Sequence, residues 1–298
     1  MSGTLLKNSA IYTFVTLLQR SVGFLLLPFY TFYLTPGEYG NLSVILSISN
    51  FVSILFLLAI PYATARFNFN MEDNGKLRVL WGNNLLLILL STLIIGACLI
   101  VFHKHLVDPF AKGIQFYPLL LMGIVTTMLS PVYVFYQSYL QTGQQGKNYG
   151  LNLTLNFLLN NSLILVFVIG FKMGIMGILL ANFITAVVFA VYTVIVFLPR
   201  IRLVFDKEQS KETLKYSLPL IPHTLSFWVI NMMDRIFLNN IANASVTGIY
   251  SVGNQVGSTI NVVTSSVNQA YSPWFYDVIR NPERNSSRVV NMTLKLST

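Results

Sequence analysis

Charge is scarce in this sequence. Only 10% of its residues are Asp, Glu, Lys or Arg, against about 25% in a soluble domain. So few charges do not build a water-facing surface on a chain of 298 residues. Cysteine is scarcer still. Cys98 stands alone, which excludes an intrachain disulfide, and the sequence has no Cys/His cluster to hold a metal. Also missing are acidic or histidine clusters in a sizeable loop, which a membrane polymerase or glycosyltransferase would show. The longest loops expected are about twenty residues and carry none. No catalytic residue and no cofactor is expected.

What is present is apolar: 54% of residues, gathered into long continuous runs. A membrane strand would alternate, so the runs read as helices in a bilayer. Eight spans are expected, at 9–34, 41–60, 81–102, 115–140, 150–171, 174–198, 216–242 and 247–269. A ninth starts near Val289. The first run carries Arg20, is too long for a signal-peptide core and lacks a small-x-small cleavage site, so it reads as a retained helix.

The net charge of +9 points to membrane topology rather than nucleic acid, because the basic residues sit in short loops. With the N-terminus cytoplasmic, thirteen Lys and Arg fall inside and three, Lys104, Lys112 and Lys172, fall outside. The inside set is Lys7, then Arg66, Lys76 and Arg78, then Lys147, then five from Arg200 to Lys215 and three from Arg280 to Arg288. This bias predicts cytoplasmic loops at 62–80, 141–149, 199–215 and 270–288. Trp274 and Phe275 read as an interfacial anchor before the last of them.

An internal repeat organises the chain. Lys7-Asn8-Ser9 opens the first span and Lys215-Tyr216-Ser217 the seventh. A shift of 211 residues puts Tyr39 on Tyr250, Ser43 on Asn254, Ser47 on Ser258 and Asn50 on Asn261. Six spans lie between the copies, so the repeats run parallel, as in transporters with two like halves. The expected architecture is an all-α polytopic membrane protein with two parallel-repeat helical lobes around a central cavity. Residues 1–200 form a six-helix lobe, and 201–298 begin a second lobe that is incomplete.

Several polar residues stand out against this background. Ser251, Asn254, Ser258, Asn261, Ser265 and Asn268 share one face of the eighth span. Small polar residues glue helices together in lipid, or they line a hydrated cavity, and the length of the run and its partial copy at Ser43, Ser47 and Asn50 favour the cavity. Asn152, Asn156 and Asn160 form a weaker stripe. Arg20 lies roughly 16 Å into its span at 1.5 Å per residue, too deep to snorkel easily, and a guanidinium there suits a phosphate. Asp234 and Arg235, deep in the seventh span, read as an interhelical pair or as a cavity charge or coupling-ion ligand. Arg66 is placed for a head group at the cytoplasmic mouth or is ordinary loop bias. His223 is a proton site or a structural histidine beside Pro222. Pro28, Pro219 and Pro222 bend the first and seventh spans.

Four segments carry a resemblance. Tyr33-Leu34-Thr35-Pro36-Gly37-Glu38-Tyr39-Gly40 is similar to the first-to-second-helix turn of the bacterial polysaccharide flippases, in the multidrug/oligosaccharidyl-lipid/polysaccharide exporter superfamily. Ala59 to Arg66 looks like the end of that family's second helix. Asp234 to Leu238 and Val246 to Ser251 resemble its seventh-to-eighth-helix region. The resemblance implies two six-helix lobes and export of an undecaprenyl-pyrophosphate-linked sugar unit across the bacterial cytoplasmic membrane. It implies a lipid-linked oligosaccharide substrate, contact with membrane lipids and sugar-polymer assembly proteins as partners. Ending early in the second lobe marks the chain as a fragment or a shortened protein. The rivals are a drug/cation antiporter of the same superfamily, an enzyme, and a non-transporting membrane protein.

Overall fold

The helix Pro36–Leu57 shows how local chemistry starts a span. Thr35 caps it: the hydroxyl accepts from Glu38 N at 3.2 Å, and the Glu38 carboxylate accepts from Thr35 N at 2.9 Å. This reciprocal box, with Pro36 at the first helical position, fixes the N-terminus. The computed structural model describes residues 26–258. Its helices are α1 (Leu27–Tyr33), α2 (Pro36–Leu57), α3 (Ile60–Phe69), α4 (Asn74–Val101), α5 (His103–Leu106), α6 (Leu121–Thr142), α7 (Gly146–Leu165), α8 (Gly174–Phe197), α9 (Lys207–Ser217) and α10 (Ile221–Ile241). An eleventh, α11, covers 244–258.

Five helical segments among the described residues have the length and hydropathy to cross a membrane: Pro36–Leu57, Asn74–Val101, Phe116–Thr142, Gly146–Gly170 and Gly174–Arg200. The spans expected at 41–60, 81–102, 115–140, 150–171 and 174–198 each fall on one of them. The chain is a multi-pass, all-α membrane protein. The expected seventh span forms α10, 21 residues long, but Asn231, Asp234, Arg235, Asn239 and Asn240 make it less apolar than those five. Most of the first span, including Arg20, lies outside the described residues. So do Asn261, Ser265, Asn268, Trp274, Phe275 and the segment near Val289.

The expected loop at 62–80 is mostly helix. α2 stops because Leu58 and Ala59 adopt left-handed backbone, φ 48° and 55°. Such residues cost about 1–3 kcal/mol each and persist only where their surroundings hold them. Here the hydroxyl of Ser91 on α4 donates to the Phe56 carbonyl at 2.6 Å, and Phe56 and Ile60 are fully buried. Pro61 then starts α3 at a position where its missing N–H costs nothing.

The expected loop at 199–215 is also largely helical. Asp206 caps α9 through Glu208 N and Gln209 N. A buried polar network holds it to α3 and α4. Asn83 Oδ1 accepts from Asp206 N and Ser210 Oγ; Asn84 Oδ1 accepts from Thr213 Oγ1, and Asn84 Nδ2 donates to Thr64 Oγ1. The polar groups of this network thereby partner one another in a medium that offers little water. A 3-10 turn at Leu218–Leu220 then leads into α10, with Pro219 and Pro222 at the joints. Pro131 sits inside α6, and Ser130 Oγ donates to the Thr127 carbonyl that the proline leaves free.

α2 is the central helix, packed on α4, α6, α8 and α10. One buried cluster, including Ile45, Val52, Ile124, Trp228 and Ile236, fills the half around the α2 N-terminus. Another, around Trp81, Ile88, Phe135, Tyr136 and Phe197, fills the half at the Arg66, Arg78 and Arg200 end, called the basic end below.

Candidate functional site

At the end opposite the basic one, the start of α2 and the 109–112 turn meet α10 and α11 closely. A Cβ on Gly40 of α2 would fall 1.8 Å from the Ala244 carbonyl oxygen, and one on Gly248 of α11 would fall 1.9 Å from that of Pro36. Only glycine lets the backbones approach so far. Asn239 Nδ2 donates to Lys112 O and Asn240 Nδ2 to Pro109 O, while Lys112 N donates to Asn240 Oδ1. Midway along, Trp228 Nε1 donates to Ser47 O at 2.9 Å.

At the basic end α2 and the start of α10 border an opening. A cleft of about 550 Å³ opens between α2, α3, α6, the start of α7 and Thr224 of α10. Tyr62, Gln137, Ser138, Gln141, Thr142, Tyr149 and Thr224 supply its polar groups, and no charged residue lines it. Gln137 is the most constrained of these. Its Nε2 donates to the Tyr133 hydroxyl, which donates to Asn152 O at 3.2 Å. Its Oε1 is buried and has no hydrogen-bond partner among the described residues, so it is an acceptor in need of a donor.

The residues singled out from sequence fall in several places. Ser43 and Ser47 are buried in the α2–α10 contact, where each hydroxyl donates to its own helix, to Tyr39 O and Ser43 O. Ser47 Oγ also lies 3.9 Å from Met232 Sδ. Asn50 is exposed and donates to Leu46 O. Asn254 and Ser258 are half-buried on α11. None of Ser43, Ser47, Asn50, Asn254 and Ser258 lines the cleft, and Asn261 lies outside the described residues. The Asn152–Asn160 stripe divides: Asn152 donates to Asn148 O, and Asn160 donates to Asn182 Oδ1 on α8.

Asp234 and Arg235 do pair, with Nη1 and Oδ1 3.6 Å apart, although neighbouring helical side chains diverge by about 100°. The Tyr250 hydroxyl donates to Asp234, and Arg235 Nη2 donates to Asn254 Oδ1 at 3.3 Å. This cluster joins α10 to α11 away from the cleft. Arg66 is exposed on α3, its guanidinium 4.7 Å from the Tyr216 ring centroid and 3.3 Å from the hydroxyl. His223 is exposed at the start of α10.

The cleft residues Gln137, Ser138, Gln141 and Thr142 went unnoticed in the sequence. Their signal was there: positions 134, 137, 138, 141 and 142 form one helical stripe, diluted by Val134 and by the aromatic neighbours Phe135, Tyr136 and Tyr139.

Residues 5–278 match the family model of the polysaccharide biosynthesis proteins. The chain belongs to that family. A segment of 67 residues, 22% of this chain, is 31% identical to a Haemophilus influenzae protein of the Lsg locus and covers 17% of it. Among solved structures, a chain named "protein A" aligns with a TM-score of 0.58 at 14% identity, over 92% of this chain and 64% of its own. An inward-facing multidrug resistance transporter of the MATE family, in the MOP superfamily, aligns with a TM-score of 0.53 at 15% identity, over 85% and 63%. The chain therefore shares the fold of these two solved structures and spans less than two thirds of the length of these three similar proteins.

Proposed function

We propose that this polysaccharide biosynthesis protein, alone or as part of a longer one, moves an undecaprenyl-pyrophosphate-linked oligosaccharide across the bacterial cytoplasmic membrane. The observation that carries this reading is the cleft at the basic end. Its lining offers amides and hydroxyls but no charge, which suits sugar hydroxyls and gives modest selectivity among them. A hydrophilic head group needs such a path, while the prenyl tail stays in lipid. Under the positive-inside bias the basic end is cytoplasmic and the N-terminus is inside. The cleft then opens to the cytoplasm with its outer end shut, and rocking of lobes at 1–200 and 201–298 alternates access. In this reading Arg20 holds the pyrophosphate, and membrane lipids and sugar-polymer assembly proteins are its neighbours.

The MATE-like fold keeps a drug/cation antiporter as the second reading. That reading needs a carboxylate facing the substrate. Asp234 is instead engaged by Arg235 and Tyr250, outside the cleft lining.

Reconstitution separates the two. Proteoliposomes are expected to flip a labelled lipid-linked sugar and to leave a cationic dye gradient unchanged. Arg20→Ala abolishes flipping while the protein still inserts, and Arg20→Lys retains part of it because charge survives without the bidentate fork. Dye efflux without sugar-lipid movement overturns the proposal.

A further inference from the structure

A second cavity, of about 520 Å³, opens at the basic end and shares no lining residue with the cleft. Arg78 and Arg200 line it, together with Trp81, Tyr139, Asn68 and Asn74. The volume lies within the range of ordinary ligand sites, about 300–1,000 Å³. Its floor is rigid. Trp81 is buried, stands edge-on to Tyr139 with centroids 5.1 Å apart, and donates its indole N–H to Asn68 Oδ1 at 2.9 Å. Arg78 Nη2 donates to Pro199 O at 3.0 Å, and Arg202 N donates to Arg78 O. Those two bonds hold Arg78 against the turn that carries Arg200.

Among the described residues no carboxylate forms an ion pair with either arginine, and no acidic residue lines the cavity. The neighbouring Asp73 is spent on capping α4 through Gly75 N. Height also matters. Arg78 lies one turn into α4, just before its apolar stretch, and Arg200 is the last residue of the Gly174–Arg200 span. Both therefore stand at the end of an apolar stretch, the height at which a span meets head groups. Paired guanidinium forks suit phosphate oxygens, and basic pockets between spans on one side of a membrane take acidic head groups.

We propose that this pocket binds a phosphate-bearing anion, the head group of an acidic membrane phospholipid. Bound there, the phosphate bridges the start of α4 to the 198–200 turn and steadies the connector that α9 continues. The proposal does not depend on what the cleft carries.

The test uses the whole purified protein in detergent micelles doped with phosphatidylglycerol or phosphatidylcholine, with inorganic phosphate as a third arm. Native mass spectrometry reads bound lipid, and thermal unfolding reads stabilisation. Phosphatidylglycerol should be retained about tenfold over phosphatidylcholine, the scale of one charge-assisted contact. R78Q/R200Q should lose that preference, whereas K104Q/K112Q, which removes equal charge at the other end, should keep it. R78K/R200K should fall between. If R78Q/R200Q fails to fold, R200Q alone should still weaken retention, since Arg200 is exposed. Equal retention of phosphatidylglycerol by wild type and a folded R78Q/R200Q, or by wild type and R200Q, overturns the site. Stabilisation by inorganic phosphate without a lipid preference overturns the lipid as its source.

Discussion

The indole N–H of Trp228 donates to the backbone carbonyl of Ser47 across 2.9 Å and ties α10 to α2 near the middle of both helices. Phe51 packs against the same indole with its ring tilted by 51° and the centroids 4.9 Å apart. Trp228→Phe keeps most of the ring and removes the bond. Interhelical hydrogen bonds in membranes average about 0.6 kcal/mol, so this variant should lower stability by about that much. Trp228→Ala also empties the contact and should cost about 3–5 kcal/mol. Unfolding in detergent, followed by circular dichroism, measures both. Equal losses for the two variants would show that packing contributes nothing beyond the hydrogen bond.

The Gly40–Gly248 crossing predicts a position-specific intolerance. Gly40→Ala puts a methyl group into the Ala244 carbonyl, so α2 and α11 must separate. Gly253→Ala, on the same helix as Gly248, meets nothing within 4 Å and should be neutral or stabilising by up to about 1 kcal/mol. Transport assays and thermal unfolding should find Gly40→Ala impaired in both and Gly253→Ala in neither. Similar behaviour of the two variants would dissociate closure of this end from the glycine contact.

Gln137 tests the cleft chemistry. Gln137→Leu preserves bulk, removes the orphaned acceptor and leaves the Tyr133 hydroxyl without its amide donor. A lost hydrogen bond to substrate is worth about 0.5–1.5 kcal/mol, so half-saturation by the lipid-linked sugar should rise by several-fold, up to about tenfold. Gln137→Glu keeps an acceptor and should bind a neutral sugar better than Gln137→Leu does. Unchanged half-saturation in Gln137→Leu removes the residue from the substrate path.

The five apolar spans were legible in the sequence because hydrocarbon forces long apolar runs and a hydrogen-bonded backbone together. The kink at Leu58 and Ala59 was not, since neither residue is one that readily takes left-handed backbone; Ser91 on another helix holds it. α9 read as loop because Lys207-Glu208-Gln209-Ser210-Lys211-Glu212 is polar throughout, yet Asn83 and Asn84 dock it from more than 120 residues away. The Ser43–Ser47 stripe was visible as a stripe. Its direction was not, because helical spacing fixes which residues share a face and leaves open what that face meets. Gln137 and Gln141 carried the cleft's polarity without a charge to draw attention to them.

Water access separates the cleft from the helix contacts most directly. Single cysteines placed in a Cys98→Ser background report it, since the native Cys98 is itself exposed. Thiols react as thiolates, which form only where water solvates the charge. Ser138→Cys, in the cleft lining, should label with a membrane-impermeant reagent added from the basic side. Ser47→Cys, fully buried between α2 and α10, should not. Asn50→Cys is exposed on α2, one helical turn beyond Ser47, and labels only if that face meets water rather than lipid. Lipid-linked substrate should protect Ser138→Cys. Reagent added from the opposite side should reach none of the three while Gly40 and Gly248 remain in contact. Rapid labelling of Ser47→Cys in folded, active protein would falsify the closed α2–α10 contact and return the Ser43–Ser47 face to the water-filled path. Labelling of Ser138→Cys only from the opposite side would reverse the orientation of the cleft and make the basic end external.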